Sequence, residues 1–217
     1  MGISRSASFI LFLALGVPLA AQDPHLGIGL SLAFPTGGFN STNYPGAGKA
    51  NPPSNEGYDT ALGVQFTASF PVQQDLAVRL DVYGQDTSGT DTSPGYASYN
   101  LEHELFSIGG EAQWFLGDGD AFRHRGAYLV AGPSLDLERF SSDYGDQYFN
   151  GYSMDKTRLG GLVGFGYSFR PYRRWRQTVE VAFHKTLSGY SAPTQPATVS
   201  PGTPPADFLR VTYGFVF

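Results

Sequence analysis

The 217-residue sequence lacks cysteine altogether, so disulfide bonds cannot be the source of its stability. Charged residues are also scarce: they make up 15% of the chain, against roughly 25% in an ordinary soluble domain. The net charge of −5 argues against nucleic acid as a partner, because phosphate binding needs an excess of Lys and Arg. No apolar run reaches the roughly 20 residues that a membrane-spanning helix requires.

Aromatic residues are plentiful instead, at 15% of the chain, and there are 28 glycines. Helical periodicity is almost absent. Apolar residues recur at every second position, as in "HLGIGLSLAF" and "ALGVQFTASF", and this period is typical of β-strands. About eight segments show it: 25–34, 61–70, 76–83, 105–115, 126–140, 158–169, 175–187 and 208–217.

The connections between these segments alternate in length. Short ones fall near 71–75, 116–125 and 170–174, whereas long ones fall near 35–59, 84–100, 140–154 and 188–206. An even number of strands with short turns at one end and long loops at the other is the pattern of a membrane barrel. The sequence therefore predicts an all-β fold: a single antiparallel up-and-down transmembrane β-barrel with short periplasmic turns and long extracellular loops.

Pro133 lies inside one predicted strand, where it removes a backbone donor, so we expect a bulge or a break in pairing there.

The first residues have the layout of a secretory signal peptide. Arg5 precedes an apolar run over 9–19, and the small residues Ala20 and Ala21 follow it. We predict that residues 1–21 are a cleaved signal peptide and that 22–217 form the barrel domain.

The polar faces of the strands indicate which side meets lipid. They are dominated by Gly, Ala, Ser and Thr, which suit a crowded lumen, whereas the other faces carry Leu, Phe and Trp. A soluble lipocalin-like barrel also alternates, but we would expect Lys, Glu and Asp along most of its strands.

The chain ends "FLRVTYGFVF", a strand whose one face is aromatic and aliphatic. The positions that alternate along this face are Leu209, Val211, Tyr213, Phe215 and Phe217. This ending resembles the assembly signal of outer-membrane β-barrels, and the whole pattern resembles small barrels of the OmpA/OmpX type. The resemblance implies export to the bacterial outer membrane, insertion by the barrel assembly machinery, contact with outer-membrane lipids and, in our interpretation, a monomer. It implies no particular activity, because activities vary on this scaffold.

Charged residues on the polar faces predict an interior charge network, since charges in a dry lumen must be paired. Its predicted members are Arg79, Glu111, Asp136, Glu138, Lys156, Arg158, Glu180, His184 and Arg210. We expect Asp136 to face Arg158, Glu138 to face Lys156, and Arg79 and Glu111 to lie at similar depths. The network is either a structural plug that sets the strand register or a path for protons or ions.

An enzyme is the alternative class, because some small outer-membrane barrels, the lipid A deacylases, use Ser, His and an acid. Glu180, His184 and Ser188 are the nearest candidates here. Residues four apart on a strand are roughly 13 Å apart, and Thr186 occupies the place of the serine that this family resemblance would require. We therefore predict no catalytic, metal or cofactor site. A narrow pore is a further alternative.

The long loops are rich in tyrosine, which favours binding because it gives a large contact area at low entropic cost. The tyrosines could instead form the aromatic girdle at the membrane interface. We predict that "SSDYGDQYFNGY" contains a contact surface for a cell-surface or protein ligand, formed by Tyr144, Tyr148, Phe149 and Tyr152.

Overall fold

A computed structural model describes residues 24–36, 57–91, 99–116, 126–143, 152–169, 175–187 and 207–217. The predicted signal peptide lies outside these residues. The strands are β1 (His25–Pro35), β2 (Gly57–Tyr58), β3 (Ala61–Pro71), β4 (Leu76–Asp91), β5 (Tyr99–Phe115), β6 (Gly126–Asp143), β7 (Tyr152–Phe169), β8 (Arg176–Thr186) and β9 (Phe208–Val216). Within the described part of the chain, no helix is long and apolar enough to cross a membrane.

The eight long strands form one closed antiparallel barrel. Each pairs with its neighbours along the chain, and β9 pairs both with β8 and with β1. The backbone N–H of Phe217 donates to the carbonyl of Leu26 at 2.8 Å, so pairing continues to the last residue. Closure removes the open edges that a sheet would otherwise expose. The predicted up-and-down barrel fold is confirmed.

The two-residue strand β2 continues the line of β3 along β4. Tyr58 pairs with Gly89 and Leu62 with Asp86, so four residue steps on one strand oppose three on the other. This mismatch is a β-bulge, and the N–H of Asp59 bridges it by donating to the carbonyl of Ser88 at 2.8 Å.

Four strands are longer than the sequence pattern predicts. β4 runs to Asp91, β5 begins at Tyr99, β6 runs to Asp143 and β7 begins at Tyr152. The predicted loop bounds 84–100 and 140–154 are therefore wrong, and the segments between the strands shrink to 92–98 and 144–151. The turn at Val72–Asp75 is short, with the N–H of Val72 and of Gln73 donating to the carbonyl of Leu76. Most of the other predicted connections lie outside the described residues.

Pro133 interrupts the pairing of β5 with β6, as predicted. Gly109 pairs with Ser134 and Ala112 with Ala131, whereas the two pairs between them are missing. The register is the same on both sides of the gap, so the pairing between β5 and β6 is interrupted there without a bulge.

The polarity of the barrel is inverted relative to a soluble protein. Among the described residues, 26 large apolar side chains are exposed, whereas 23 polar or charged side chains and 11 apolar ones are buried. The outward apolar band on β5 runs from Trp114 to Phe106. Those eight steps cover about 27 Å of strand at ~3.4 Å per residue. At a tilt of ~40° the band is then ~21 Å tall, close to the ~25 Å typical of a barrel's lipid-facing surface.

Glycines in the interior make room for large rings. Tyr83 lies against Gly63 and Tyr128 against Gly166, and in both cases a Cβ on the glycine would collide with the ring. Both tyrosines are almost fully buried. This packing explains why an interior that contains long side chains needs so many small ones.

Candidate functional site: the barrel lumen and its rim

Arg79 on β4 is the centre of the first charge cluster. Its Nε donates to Glu111 Oε2 at 2.6 Å, and its two Nη atoms donate to the carboxylate of Glu180 at 2.6 and 3.0 Å. The three residues are at most 4% exposed. This two-pronged geometry is the strong arrangement for an arginine and a carboxylate, and it ties β4 to β5 and to β8 across the interior.

Arg210 on β9 joins the same cluster from the opposite wall. Its Nη2 donates to Asp81 Oδ2 at 3.0 Å and to Glu180 Oε1 at 3.4 Å, and its guanidinium lies 4.6 Å from the ring centre of Tyr83. The hydroxyl of Tyr128 donates to Glu180 Oε2 at 3.1 Å. Glu180 therefore contacts side chains from three other strands.

A second cluster lies around Asp136, nearer the end of the barrel at which β4 and β6 finish and β5 and β7 begin, which we call the long-loop end. Its Oδ1 accepts a hydrogen bond from Ser107 at 2.7 Å, and its Oδ2 is 3.1 Å from His184 Nε2. Ser134 Oγ is 3.3 Å from the same nitrogen. Gly160 allows this convergence, because a Cβ there would collide with Asp136, Ser134 and His184 together.

Glu138 extends the second cluster toward the long-loop end of the barrel. Its Oε2 is 3.6 Å from Arg158 Nη1 and 3.5 Å from His103 Nε2, and all three residues are buried. The strand register pairs Asp136 with Arg158, Glu138 with Lys156 and Arg79 with Glu111, as expected.

Eight of the nine predicted network residues lie in the interior, and Lys156 is exposed. The charged contacts of Glu138 run to Arg158 and His103, while Asp136 contacts His184. Neighbours in register thus do not by themselves determine which side chains pair, because long side chains also reach diagonally.

The sequence interpretation missed Asp81, His103 and Tyr128 as members of the network. Asp81 follows Arg79 on the same face of β4, and His103 continues the inward alternation of β5 beyond the predicted strand end. Both could have been found by extending the period of two. The contact of Tyr128 with Glu180 joins strands far apart in the sequence and leaves no local signal.

The Ser134, His184 and Asp136 side chains do not form a hydrolytic relay. Both Ser134 and Asp136 contact Nε2 of His184, whereas a relay needs the acid on one ring nitrogen and the serine on the other. All three are buried inside the barrel. Glu180, in the candidate acid position, is bound by Arg79 and Tyr128. Ser188 lies outside the described residues.

No three His, Asp or Glu side chains converge as a metal site among the strand residues that the structure describes.

The rim above the apolar band is charged. On the outer face of β6, Arg139 Nε donates to Asp155 Oδ1 at 3.1 Å, and its Nη1 is 3.6 Å from Glu104. All three are more than half exposed. They lie one outward row beyond Phe106 and Leu137, so the outer surface of β4–β7 changes there from apolar to charged.

The candidate loop surface is largely beyond the described residues. Tyr144, Tyr148 and Phe149 lie outside them, and Tyr152 is the first residue of β7.

The terminal strand carries the predicted assembly positions on its outer face. Leu209, Tyr213 and Phe217 are exposed and Val211 and Phe215 are partly so, whereas Phe208 and Arg210 are buried in the lumen.

Fold and interior together define a small eight-stranded barrel with an apolar exterior and an ionic interior. Comparison with solved structures gives the same fold. The outer membrane protein OprG from Pseudomonas aeruginosa superposes with a TM-score of 0.53 at 11% identity, over 89% of this chain and 94% of that one. The fold is that of the small outer-membrane β-barrels.

Two further structures match less closely. Neisserial surface protein A has a TM-score of 0.45 at 15% identity, over 89% of this chain and 95% of its own. Ail, the attachment invasion locus protein of Yersinia pestis, has a TM-score of 0.44 at 10% identity, over 90% and 97%. No family model and no curated protein matches the sequence.

Proposed function

We propose that this chain is an integral protein of the bacterial outer membrane, exported by a cleaved signal peptide at 1–21, with no enzymatic activity of its own. The observation that carries the proposal is the inverted polarity: an apolar band on the outside and paired charges within. A lipocalin-like soluble barrel would have the opposite arrangement. Burying the band in lipid removes the exposed apolar surface from water.

The lumen is proposed to be plugged. Arg79, Glu180 and Arg210 link side chains from opposite walls, and aromatic rings of Tyr83 and Phe208 stack beside them. Eight strands enclose a space that side chains can fill, so a wide channel is not expected. A lipid-modifying hydrolase remains the alternative, and the geometry around His184 does not support it.

Any specific function is proposed to reside in the loops that β4–β7 carry. These strands extend beyond Phe106 and Leu137, past the apolar band, to Asp91, Tyr99, Asp143 and Tyr152. Loops on a rigid scaffold carry most recognition. Tyr144, Tyr148, Phe149 and Tyr152 would form the contact surface for a cell-surface or protein ligand.

Cell fractionation and detergent gel electrophoresis test the location. The protein should fractionate with the outer membrane, and the refolded protein should migrate differently unheated and boiled, because folded barrels resist mild detergent. Recovery of the wild-type protein in the periplasm, or identical migration of the two samples, would refute the proposal.

Simultaneous replacement of Tyr144, Tyr148 and Phe149 by Ser tests the loop surface. Adhesion or partner capture should weaken while heat-modifiability is retained. The matched control replaces Tyr44 and Tyr190, from the predicted connections 35–59 and 188–206, by Ser. Unchanged adhesion and capture in the folded triple variant would exclude this loop, and failure to fold would show that its rings are structural.

A further inference from the structure

The pairing of β1 with β9, which we call the seam, closes the barrel between the two ends of the chain. The other long strands pair with the long strand that precedes or follows them in the sequence. Bringing together residues far apart in the chain costs more conformational entropy than forming a hairpin. The seam therefore has the largest entropic cost to offset.

Few side chains contact one another across the inner face of the seam. Gly29 pairs directly with Gly214, so this position has no side chains at all. At the next inward position the hydroxyls of Ser31 and Thr212 form a hydrogen bond of 2.7 Å. Because cross-strand side-chain pairs stabilise neighbouring strands, this inner face contributes little stability of its own.

The outer face of the seam does not make up for this in a membrane. Leu30 pairs with Tyr213 and Ile28 with Phe215, and three of these four residues are exposed. Lipid tails are as apolar as these side chains, so the outer pairs lack the hydrophobic driving force that they would have in water. This step rests on the membrane location proposed above.

Arg210 on β9 spans the seam from inside the lumen. Its Nη2 donates to Asp81 Oδ2 at 3.0 Å, and its guanidinium lies 4.6 Å from the ring centre of Tyr83. Asp81 and Tyr83 belong to β4, which lies beyond β1 and β3 on the other side of the seam. The ring of Phe208, also on β9, stacks on Tyr83 with the ring centres 6.0 Å apart. Side chains of β9 and β4 thus connect the two sides of the seam.

Small residues on the two intervening strands allow this connection. Ala33 on β1 and Ala61 on β3 pack in one buried cluster with Tyr83 and Phe208. Gly63 on β3 also lies against Tyr83, where a Cβ would collide with the ring. The small inner residues of β1 and β3 therefore make room for the side chains that reach across them.

We propose that Arg210 and Phe208 on β9, with Asp81 and Tyr83 on β4, form an internal latch that holds the β1–β9 seam closed. Arg210 and Asp81 are at most 4% exposed, and a charge-assisted hydrogen bond between buried groups is a strong one. A change on β4 that breaks the latch should therefore loosen the seam, although β4 pairs with neither β1 nor β9.

Amide hydrogen exchange of the folded protein in detergent micelles, followed by nuclear magnetic resonance, measures the opening of individual strand pairs. The N–H of Phe217 donates across the seam to Leu26. Because hydrogen-bonded pairs alternate along antiparallel strands, the N–H groups of Leu30 and Tyr213 point across the seam as well. These two are the seam amides.

Asp81→Ala removes the acceptor of the latch from β4. It should raise the exchange rates of the seam amides at least ~10-fold relative to those of Phe106 and Leu137 in the β5–β6 pairing, because a hydrogen bond between charged groups is lost. The matched control is Glu111→Ala, which removes a buried acid whose ion pair with Arg79 joins the neighbouring strands β4 and β5. It should cause no change specific to the seam.

Arg210→Met tests the latch from β9. It removes the contacts with both Asp81 and Tyr83, so its effect on the seam amides should be at least as large. The control Arg158→Met removes a buried arginine whose ion pair with Glu138 joins the neighbouring strands β6 and β7. Combining Arg210→Met with Asp81→Ala should open the seam no further, because both changes remove the same contact.

Three results would overturn the latch. They are no acceleration at the seam in folded Asp81→Ala, equal acceleration of the seam and β5–β6 amides, and additive effects of the Asp81 and Arg210 changes. Where a variant fails to fold, seen as lost heat-modifiability, Asp81→Asn keeps the shape of the side chain and supplies the same comparison. Cell fractionation tests the membrane location separately, so failure of the latch leaves that proposal standing.

Discussion

Removing the carboxylate of Glu180 should destabilise the barrel more than any exposed substitution. This group accepts hydrogen bonds from Arg79, Tyr128 and Arg210 and is 3% exposed. Without it, Arg79 keeps only Glu111 and Arg210 keeps only Asp81 among their described carboxylate contacts. Breaking a buried ion pair by removing one partner costs about 3–5 kcal/mol, because an uncompensated charge stays buried. We expect Glu180→Ala to lower the free energy of unfolding by that amount.

Urea unfolding in lipid vesicles, followed by the fluorescence of Trp114 and Trp175, measures this loss. The matched control is Asp155→Ala, which removes an acid from an exposed ion pair with Arg139 and should have little effect, because such pairs are screened by water. A double-mutant cycle of Arg79→Leu and Glu180→Leu should give a coupling of at least ~1.5 kcal/mol. A Glu180→Ala protein as stable as the control variant would refute the cross-linked interior.

Three further predictions follow from the lumen, the pore and the chain end. Gly160→Ala should lower the free energy of unfolding by about 1–3 kcal/mol, because the added Cβ would displace Asp136, Ser134 and His184. The control Gly161→Ala, at the neighbouring outward position, should be tolerated, because its Cβ would closely meet only the flexible end of Leu187. Equal stabilities of the two variants would contradict the argument that the interior at Gly160 is crowded. Planar-bilayer recordings should show no large, stable conductance, and a porin-like current would contradict the plug. Deletion of Phe217, whose N–H donates to the carbonyl of Leu26 at the end of the β1–β9 pairing, should reduce assembly in cells, measured as the heat-modifiable fraction of the protein. Undiminished assembly would show that Phe217 is not part of the assembly signal.

The period of two predicts the strands and their faces well where one face is apolar. Leu30 and Leu62 point outward and Ser31 and Gln65 inward, as the alternation indicates. The same signal fails beyond the apolar band. There Asp86 and Glu102 face outward while Gln85 and His103 face inward, so both faces are polar and hydrogen bonding continues without a hydrophobic pattern.

Side-chain partners in the lumen were only partly predictable. Arg79 and Glu111 are direct cross-strand neighbours and form an ion pair. The contact between Arg79 and Glu180 joins β4 to β8, and that between Arg210 and Asp81 joins β9 to β4. Such contacts cross the lumen, so they depend on the barrel's diameter and stagger, which no local pattern carries.

Spin labels placed along β6 in lipid vesicles test most directly the claim that the barrel is inverted. Single cysteines at Leu129, Leu135 and Leu137 should give labels that collide with lipid-soluble oxygen and not with a water-soluble nickel complex. Labels at Ser134 and Asp136, inside the lumen, should collide with oxygen much less, and a label at Arg139 on the charged rim should become accessible to nickel. Greater nickel accessibility at Leu129, Leu135 and Leu137 than at Arg139 would place the apolar face in water and contradict the membrane barrel.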